Sequence, residues 1–167
     1  KDFQKEIEYM GEAVDFGEAT VTDEITGEKR DCPLIEKITD FSGKEVAHAT
    51  DAGDYKFSAI IDPLSPKYTS DAIGFSKEFT IKPKTIAVTA GTTRVEKEYD
   101  GTTDIVDYTG EFEVDGTIYD RDKVEVDVDI KKTQKYDTPN VSQGKGIAVA
   151  KLQPIEGETN AGVSNYI

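Results

Sequence analysis

The segment Ala49–Ala59, ATDAGDYKFSA, places Asp51, Gly53 and Tyr55 at alternate positions directly before a run of alternating polar and apolar residues. Alternation with a period of two is typical of a β-strand that has one buried face and one solvated face. Aspartate and glycine favour the turn before such a strand, because glycine adopts backbone conformations that other residues avoid. The segment therefore predicts a turn that leads into a half-buried strand.

The same alternation recurs along the chain. In KVEVDVDI, Lys123–Ile130, the apolar residues share one face of the predicted strand and the acidic residues share the other. Turn-forming residues separate the other predicted strands, and no segment has the pattern of an amphipathic helix of useful length. The sequence therefore predicts an all-β protein. The other predicted strands are KEIEYM (5–10), EATVTD (18–23), DYKFSAII (54–61), KEFTIK (77–82), KTIAVTA (84–90) and GIAVAKL (146–152).

Composition excludes several classes of partner and site. The net charge of -14 would repel polyanions, so we expect no nucleic-acid binding. No apolar segment is long enough for a membrane-spanning helix, so we expect no membrane insertion by this segment. A single cysteine, Cys32, excludes an internal disulfide, and a single histidine, His48, excludes a histidine cluster. We therefore expect no cofactor and no metal site of the usual cysteine or histidine types.

Two internal echoes predict a tandem repeat. EIEYMGEAV from Glu6 matches EKEYDGTTD from Glu96, and TDAGDYKF around Tyr55 matches TNAGVSNYI around Tyr166 with a small insertion. We therefore predict two related modules, residues 1–83 and 84–167, because Pro83 would interrupt a strand ladder at their seam. Only one residue follows Tyr166, so the second module is expected to lack its closing strand.

The form Asp-x-Gly-x-Tyr is similar to the entry into strand F of the immunoglobulin fold. There the glycine permits a tight turn, and the tyrosine hydroxyl bonds to a backbone group a few residues upstream. Asp51, Gly53 and Tyr55 would take these parts, and Phe57 would be buried where many immunoglobulin domains carry a disulfide cysteine. The pattern predicts two immunoglobulin-like β-sandwiches without disulfides. The alternative is an ordinary turn before a strand.

Glu96–Asp104, with Tyr99, Asp100 and Gly101 at its centre, resembles the YDG-type repeat of bacterial surface and adhesin-like proteins, which also carries an Asn-Tyr near its end. The first half is similar to MBG-type surface repeats in EIEYMGEAVDF, TDAGDYKF, PKYTSD and KEFTIKPK. These resemblances imply a non-enzymatic piece of a long protein that is secreted or attached to the bacterial cell surface. Its partners would be the neighbouring repeat modules of the same chain.

Two functions remain for such a segment. The first is a rigid spacer that carries a distal adhesive domain away from the cell. The second is a binding module that recognises a host protein or a glycan through loops or a sheet edge. The absence of tryptophan weakens the glycan version, and we favour the spacer.

Two chemical possibilities stay open beside these functions. The acidic turns of YDGTTD (99–104) and DYTGEFEVDGTIYDRD (107–122) could hold calcium weakly or could simply be solvated. Some immunoglobulin-like surface domains carry a Lys–Asn isopeptide bond beside a carboxylic acid. In this sequence no lysine, acid and asparagine can be matched to the strand positions of those domains.

Overall fold

The computed structural model describes residues 3–17, 19–30, 32–64, 74–94, 98–105, 109–128, 150–159 and 161–167. The chain divides into two compact units, Lys1–Pro83 and Lys84–Ile167. Helical structure in the described ranges consists of two 3-10 turns, Asp120–Asp122 and Val163–Asn165. The predicted all-β class is confirmed. No helix in these ranges is long and apolar enough to cross a membrane.

The strands of the first unit are β1 Glu6–Glu8, β2 Val21–Thr22, β3 Lys29–Arg30, β4 Leu34–Asp40, β5 Glu45–Val46, β6 Gly53–Ile61 and β7 Gly74–Lys82. Five of them form a sheet in the order β1-β7-β6-β4-β5, and β2 and β3 form a short hairpin. The strand β1 runs parallel to β7, and the other pairs of neighbouring strands are antiparallel.

The core of the first unit lies on one face of this sheet. Phe57 and Ala59 of β6 are buried, and Tyr55 lies opposite Phe79 of β7 in the antiparallel register. The Phe16 ring, from the segment after β1, stacks on Phe57 with ring centroids 5.0 Å apart. Such aromatic contacts stabilise a core beyond the simple burial of area. Phe57 is therefore buried against other rings, at the place where the sequence predicts that it replaces a disulfide.

The second unit contains two separate two-stranded ladders in its described part. The strands are β8 Ala87–Thr89, β9 Glu113–Asp115, β10 Val124–Val128 and β11 Ala150–Pro154. The strand β8 pairs with β9, and β10 pairs with β11, both antiparallel. An isolated parallel bridge joins Lys84 to Tyr166.

Three strands are shorter than the sequence predicts, and the first of them, KEIEYM, is reduced to the three residues of β1. The predicted strand EATVTD is reduced to the two residues of β2, and KTIAVTA is reduced to the three residues of β8. In β10 the valine face is more buried than the acidic face, as the alternation predicts. The ends of two predicted strands, residues 129–130 and 146–149, and the segment PKYTSD lie outside the described residues.

Candidate functional site

Asp51, Gly53 and Tyr55 form one closed corner at the start of β6. The Tyr55 hydroxyl donates a 3.0 Å hydrogen bond to the carbonyl oxygen of Asp51, four residues upstream. Gly53 has a φ of 156°, which L side chains rarely adopt. The Tyr55 ring stacks on Phe79 with centroids 5.5 Å apart. The three predicted residues therefore come together, and their hydrogen bond ties the turn to the strand that follows it.

The surroundings of Tyr55 keep its hydroxyl protonated. Burial raises the pKa of Tyr55, and the negative charges of Asp51 and Asp40 raise it further. A protonated hydroxyl is the form that can donate to the Asp51 carbonyl oxygen. The raised pKa therefore extends the pH range of this hydrogen bond above the ordinary tyrosine value of about 10.

Tyr99, Asp100 and Gly101 form an exposed turn. The Asp100 carboxylate accepts hydrogen bonds from the backbone N–H and from the hydroxyl of Thr102, both at 2.9 Å. Gly101 has a φ of 77°, in the left-handed region that favours glycine. The Tyr99 side chain is exposed. The run Asp-Gly-Thr is thus a self-capped turn, since the aspartate bonds to the residue two positions ahead.

The second unit contains a buried polar cluster that we call the Asp122 cluster, formed by Tyr119, Asp122, Gly162, Asn165 and Tyr166. Asp122 and Asn165 are 3% and 1% exposed. The Tyr166 hydroxyl donates to Oδ2 of Asp122 at 2.5 Å and accepts from the backbone N–H of Tyr119 at 2.8 Å. The Asn165 amide donates to Oδ1 of Asp122 at 3.2 Å. The buried carboxylate is therefore hydrogen-bonded through both of its oxygens.

Tyr166 matches Tyr55 in the sequence repeat but forms a different hydrogen bond. Tyr55 bonds to a carbonyl oxygen four residues upstream, whereas Tyr166 bonds to a carboxylate 44 residues upstream. The insertion before Tyr166 forms the 3-10 turn Val163–Asn165, and this turn places the Asn165 amide on Asp122. The Tyr55 hydroxyl therefore forms a local hydrogen bond in the first unit, whereas the Tyr166 hydroxyl forms a long-range hydrogen bond in the second unit.

Gly162 is held where no larger residue fits. A Cβ atom there would lie 2.5 Å from Oδ1 of Asp122 and 2.7 Å from Nδ2 of Asn165. Its backbone N–H donates a 2.8 Å hydrogen bond to the carbonyl oxygen of Asp122. The glycine of the Asn-Ala-Gly motif is thus required by close approach to a buried carboxylate.

Burial raises the pKa of Tyr166 to about 12, and its hydrogen bond to Asp122 contributes to this shift. The neutral hydroxyl is favoured because a phenolate beside a buried carboxylate would place two negative charges in contact.

Residues 82–167 match the model of the family described as the YDG domain. This chain belongs to the YDG domain family. The match includes both the Tyr99–Gly101 turn and the Asp122 cluster, and the predicted YDG-type resemblance of the second half is confirmed. Comparisons with curated proteins and with solved structures found no match.

In the second unit, Tyr166 can be identified from the sequence, whereas Asp122 cannot. The Asn-Ala-Gly and Asn-Tyr elements are visible as an echo of the first half. Asp122 carries no comparable signal, because it is one of 34 acidic residues and the side chains that donate hydrogen bonds to it, Asn165 and Tyr166, are more than forty positions away. The local motif YDRDK forms the 3-10 turn Asp120–Asp122, and the residue after it, Lys123, has a left-handed backbone conformation.

A lysine, an acid and an asparagine do lie near one another in the YDG unit, although the sequence reveals no such set. The backbone N–H of Lys84 donates to the carbonyl oxygen of Asn165 at 2.8 Å. The Lys84 ammonium group lies over the Tyr119 ring, 6.0 Å from its centroid. The Asn165 amide is directed at Asp122. In this arrangement the ammonium group contacts a ring, and the amide nitrogen is hydrogen-bonded to a carboxylate.

The described residues contain no group of three or more histidine, cysteine, aspartate or glutamate side chains that could hold a metal ion. Cys32 is half-buried, and its thiol lies 3.9 Å from the carbonyl oxygen of Pro33. The arrangements in both units join polar side chains to backbone groups of the same unit. These hydrogen bonds hold together segments of the same unit and so stabilise its fold.

Proposed function

We propose that the chain is a non-enzymatic spacer segment of a long bacterial cell-surface protein, built from tandem immunoglobulin-like β-sandwich modules. In this proposal residues 1–83 form an MBG-like module and residues 84–167 form a YDG-like module. Membership of the YDG domain family and the all-β architecture support it. The observation that carries it is that each of the two units is closed internally by a half-buried or buried tyrosine.

A spacer needs modules that resist unfolding without help from other molecules. Tyr55 and Tyr166 supply that resistance in the two units, since each anchors a chain turn by a hydrogen bond within its own unit. This is a means of closing a sandwich that does not depend on disulfides. The net charge of -14 would keep such a chain soluble and would discourage self-association.

The distribution of aromatic residues favours spacing over adhesion. Phe16, Phe57 and Phe79 contact one another on the inner face of the first sheet, where they stabilise the core. Among the described residues, the most exposed apolar side chains are Ile25, Phe41 and Leu64, and they lie in three separate turns. An adhesive face would be expected to concentrate such side chains in one patch.

A surface-display experiment tests this proposal. The segment is placed between a cell-surface anchor and a reporter binding domain, and the capture of ligand-coated beads under flow is measured. A second strain carries an unrelated rigid two-domain spacer of similar length, and a third carries the reporter directly on the anchor. We expect the two spacers to give equal capture, above that of the direct fusion.

Capture by the segment alone, without the reporter domain, would contradict the spacer role and would favour the binding alternative. A host-protein panel and a glycan panel applied to these reporter-free cells separate the two possible ligand classes. Capture no better than that of the direct fusion would also count against the spacer.

A further inference from the structure

Strand β7 has an open edge in the first unit. Its neighbour β1 pairs only with Thr80–Lys82, whereas Gly74–Glu78 at the beginning of β7 is exposed. On the side away from β6, no strand within the described ranges pairs with Gly74–Glu78. An uncovered strand edge presents backbone donors and acceptors on which another strand can form.

The direction of the backbone groups follows from one hydrogen bond. The Thr80 N–H donates to the carbonyl oxygen of Lys5 at 2.9 Å, so it points away from β6. Backbone N–H and C=O groups alternate sides along a strand, so those of Glu78, Ser76 and Gly74 point to the same side as Thr80. The edge therefore presents a regular row of outward backbone groups.

A groove of about 470 Å³ lies along this edge, lined by Phe3, Lys5, Lys56, Ser76, Lys77 and Glu78. Three lysines border it in a chain whose net charge is -14. Within the described ranges none of the three forms an ion pair, whereas Lys37 and Lys82 do. The groove is thus a local positive site on an acidic protein, and it would attract negatively charged chains in preference to the rest of the surface.

The two sides of the edge differ in polarity. Lys56 lies opposite Glu78 on the solvated face of the sheet. Phe75 lies on the opposite face, where its ring contacts Phe3 and the Lys77 ammonium group lies 5.8 Å from its centroid. Successive side chains of an added strand would point alternately to these two faces. An added strand with acidic side chains on one face and apolar side chains on the other would therefore complement both faces of the edge.

We propose that the open edge of β7 binds, by β-strand addition, an extended segment of another polypeptide in which acidic and apolar residues alternate. Backbone hydrogen bonds to Gly74–Glu78 would supply the pairing, and the lysines and the Phe3–Phe75 side would select the sequence. This binding site goes beyond the spacer role and does not depend on it.

A synthetic peptide with blocked ends and the sequence VEVDVDI, that of residues 124–130, is a suitable probe. It is titrated into the 167-residue protein at low salt, and amide shifts are followed by NMR. We expect shifts centred on Gly74–Glu78 and weaker binding as salt rises, because exposed charges are screened. A control peptide in which every acidic residue is replaced by lysine should bind about ten-fold more weakly or not at all.

Charge reversal at the groove tests the role of the lysines. The double variant Lys5→Glu/Lys56→Glu should bind the probe about ten-fold more weakly. The control is Lys37→Glu, a single charge reversal on β4 of the same sheet, where the lysine pairs with Glu45, and it is compared with the single groove variant Lys56→Glu. The control should bind the probe as the unaltered protein does.

The backbone edge is tested by Ser76→Pro, which removes one outward N–H group and is compatible with an edge strand. We expect loss of probe binding with little change in the thermal melt. Equal binding by the double charge variant, amide shifts that map elsewhere, or no binding of the probe at low salt would each overturn the proposal. The charge variant retains every backbone group, so it remains decisive even if the proline variant fails to fold.

Discussion

Replacing Tyr166 by phenylalanine should destabilise the second unit far more than the same change at Tyr55 destabilises the first. Tyr166→Phe removes a hydrogen bond to a buried carboxylate and leaves the Tyr119 N–H without its tyrosine acceptor. A hydrogen bond to a charged group contributes about 1.5–3 kcal/mol. Because the Tyr166 hydroxyl also accepts from the part-buried Tyr119 N–H, the loss should lie at the upper end of this range, about 3 kcal/mol. Tyr55→Phe removes one neutral hydrogen bond of a half-buried residue and should cost about 1 kcal/mol.

The two losses can be measured in the same 167-residue chain. Urea unfolding is monitored by hydrogen exchange and mass spectrometry, which report the stability of each unit separately. Peptides from residues 3–64 report on the first unit, and peptides from residues 109–167 report on the second. The extrapolated free energy of unfolding is then compared among the unaltered chain and the two variants. Each variant retains its aromatic ring, so the comparison isolates the hydroxyl group.

Equal effects of the two substitutions, or a negligible effect of Tyr166→Phe, would refute this reasoning. Either result would mean that the Asp122 carboxylate gains nothing from the tyrosine that the structure places against it. A loss that appears in the first unit after Tyr166→Phe would contradict the assignment of the Asp122 cluster to the second unit.

Three further outcomes are expected. Gly162→Ala should destabilise the second unit by about 1–3 kcal/mol in urea unfolding, because a Cβ atom would overlap the Asp122 carboxylate; an unchanged midpoint would contradict the close approach. The stabilisation that comes from the raised pKa of Tyr166 should be fully present below pH about 10, the ordinary tyrosine value, and should be lost as pH rises toward about 12. Thermal melts between pH about 10 and about 12 measure this loss of stability, and Tyr166→Phe should remove the part of the loss that Tyr166 causes. Intact-protein mass spectrometry should give the mass of the unmodified sequence, because the Lys84 ammonium group lies over the Tyr119 ring; a deficit of one ammonia would show a Lys–Asn cross-link instead.

Strand positions could be predicted from sequence where alternation is strong and long. DYKFSAII and KEFTIK fall within β6 and β7, since a strict period of two with one apolar face has few alternative structures. EATVTD and KTIAVTA form only short strands, because weakly apolar segments depend on the partners that the fold provides. The parallel pairing of β1 with β7 has no sequence signal of its own, since it joins segments more than seventy residues apart.

The β class, the absence of an internal disulfide and the local corner of Asp51, Gly53 and Tyr55 could be predicted from the amino-acid sequence. All three rest on composition or on residues within a few positions of one another, where backbone preference and short hydrogen bonds are sufficient. Only the tertiary structure shows which of the 34 acidic residues is buried, because it brings Tyr166 and Asn165 within hydrogen-bonding distance of Asp122. A buried carboxylate is stable only where several donors surround it, and those donors come from parts of the chain that meet after folding.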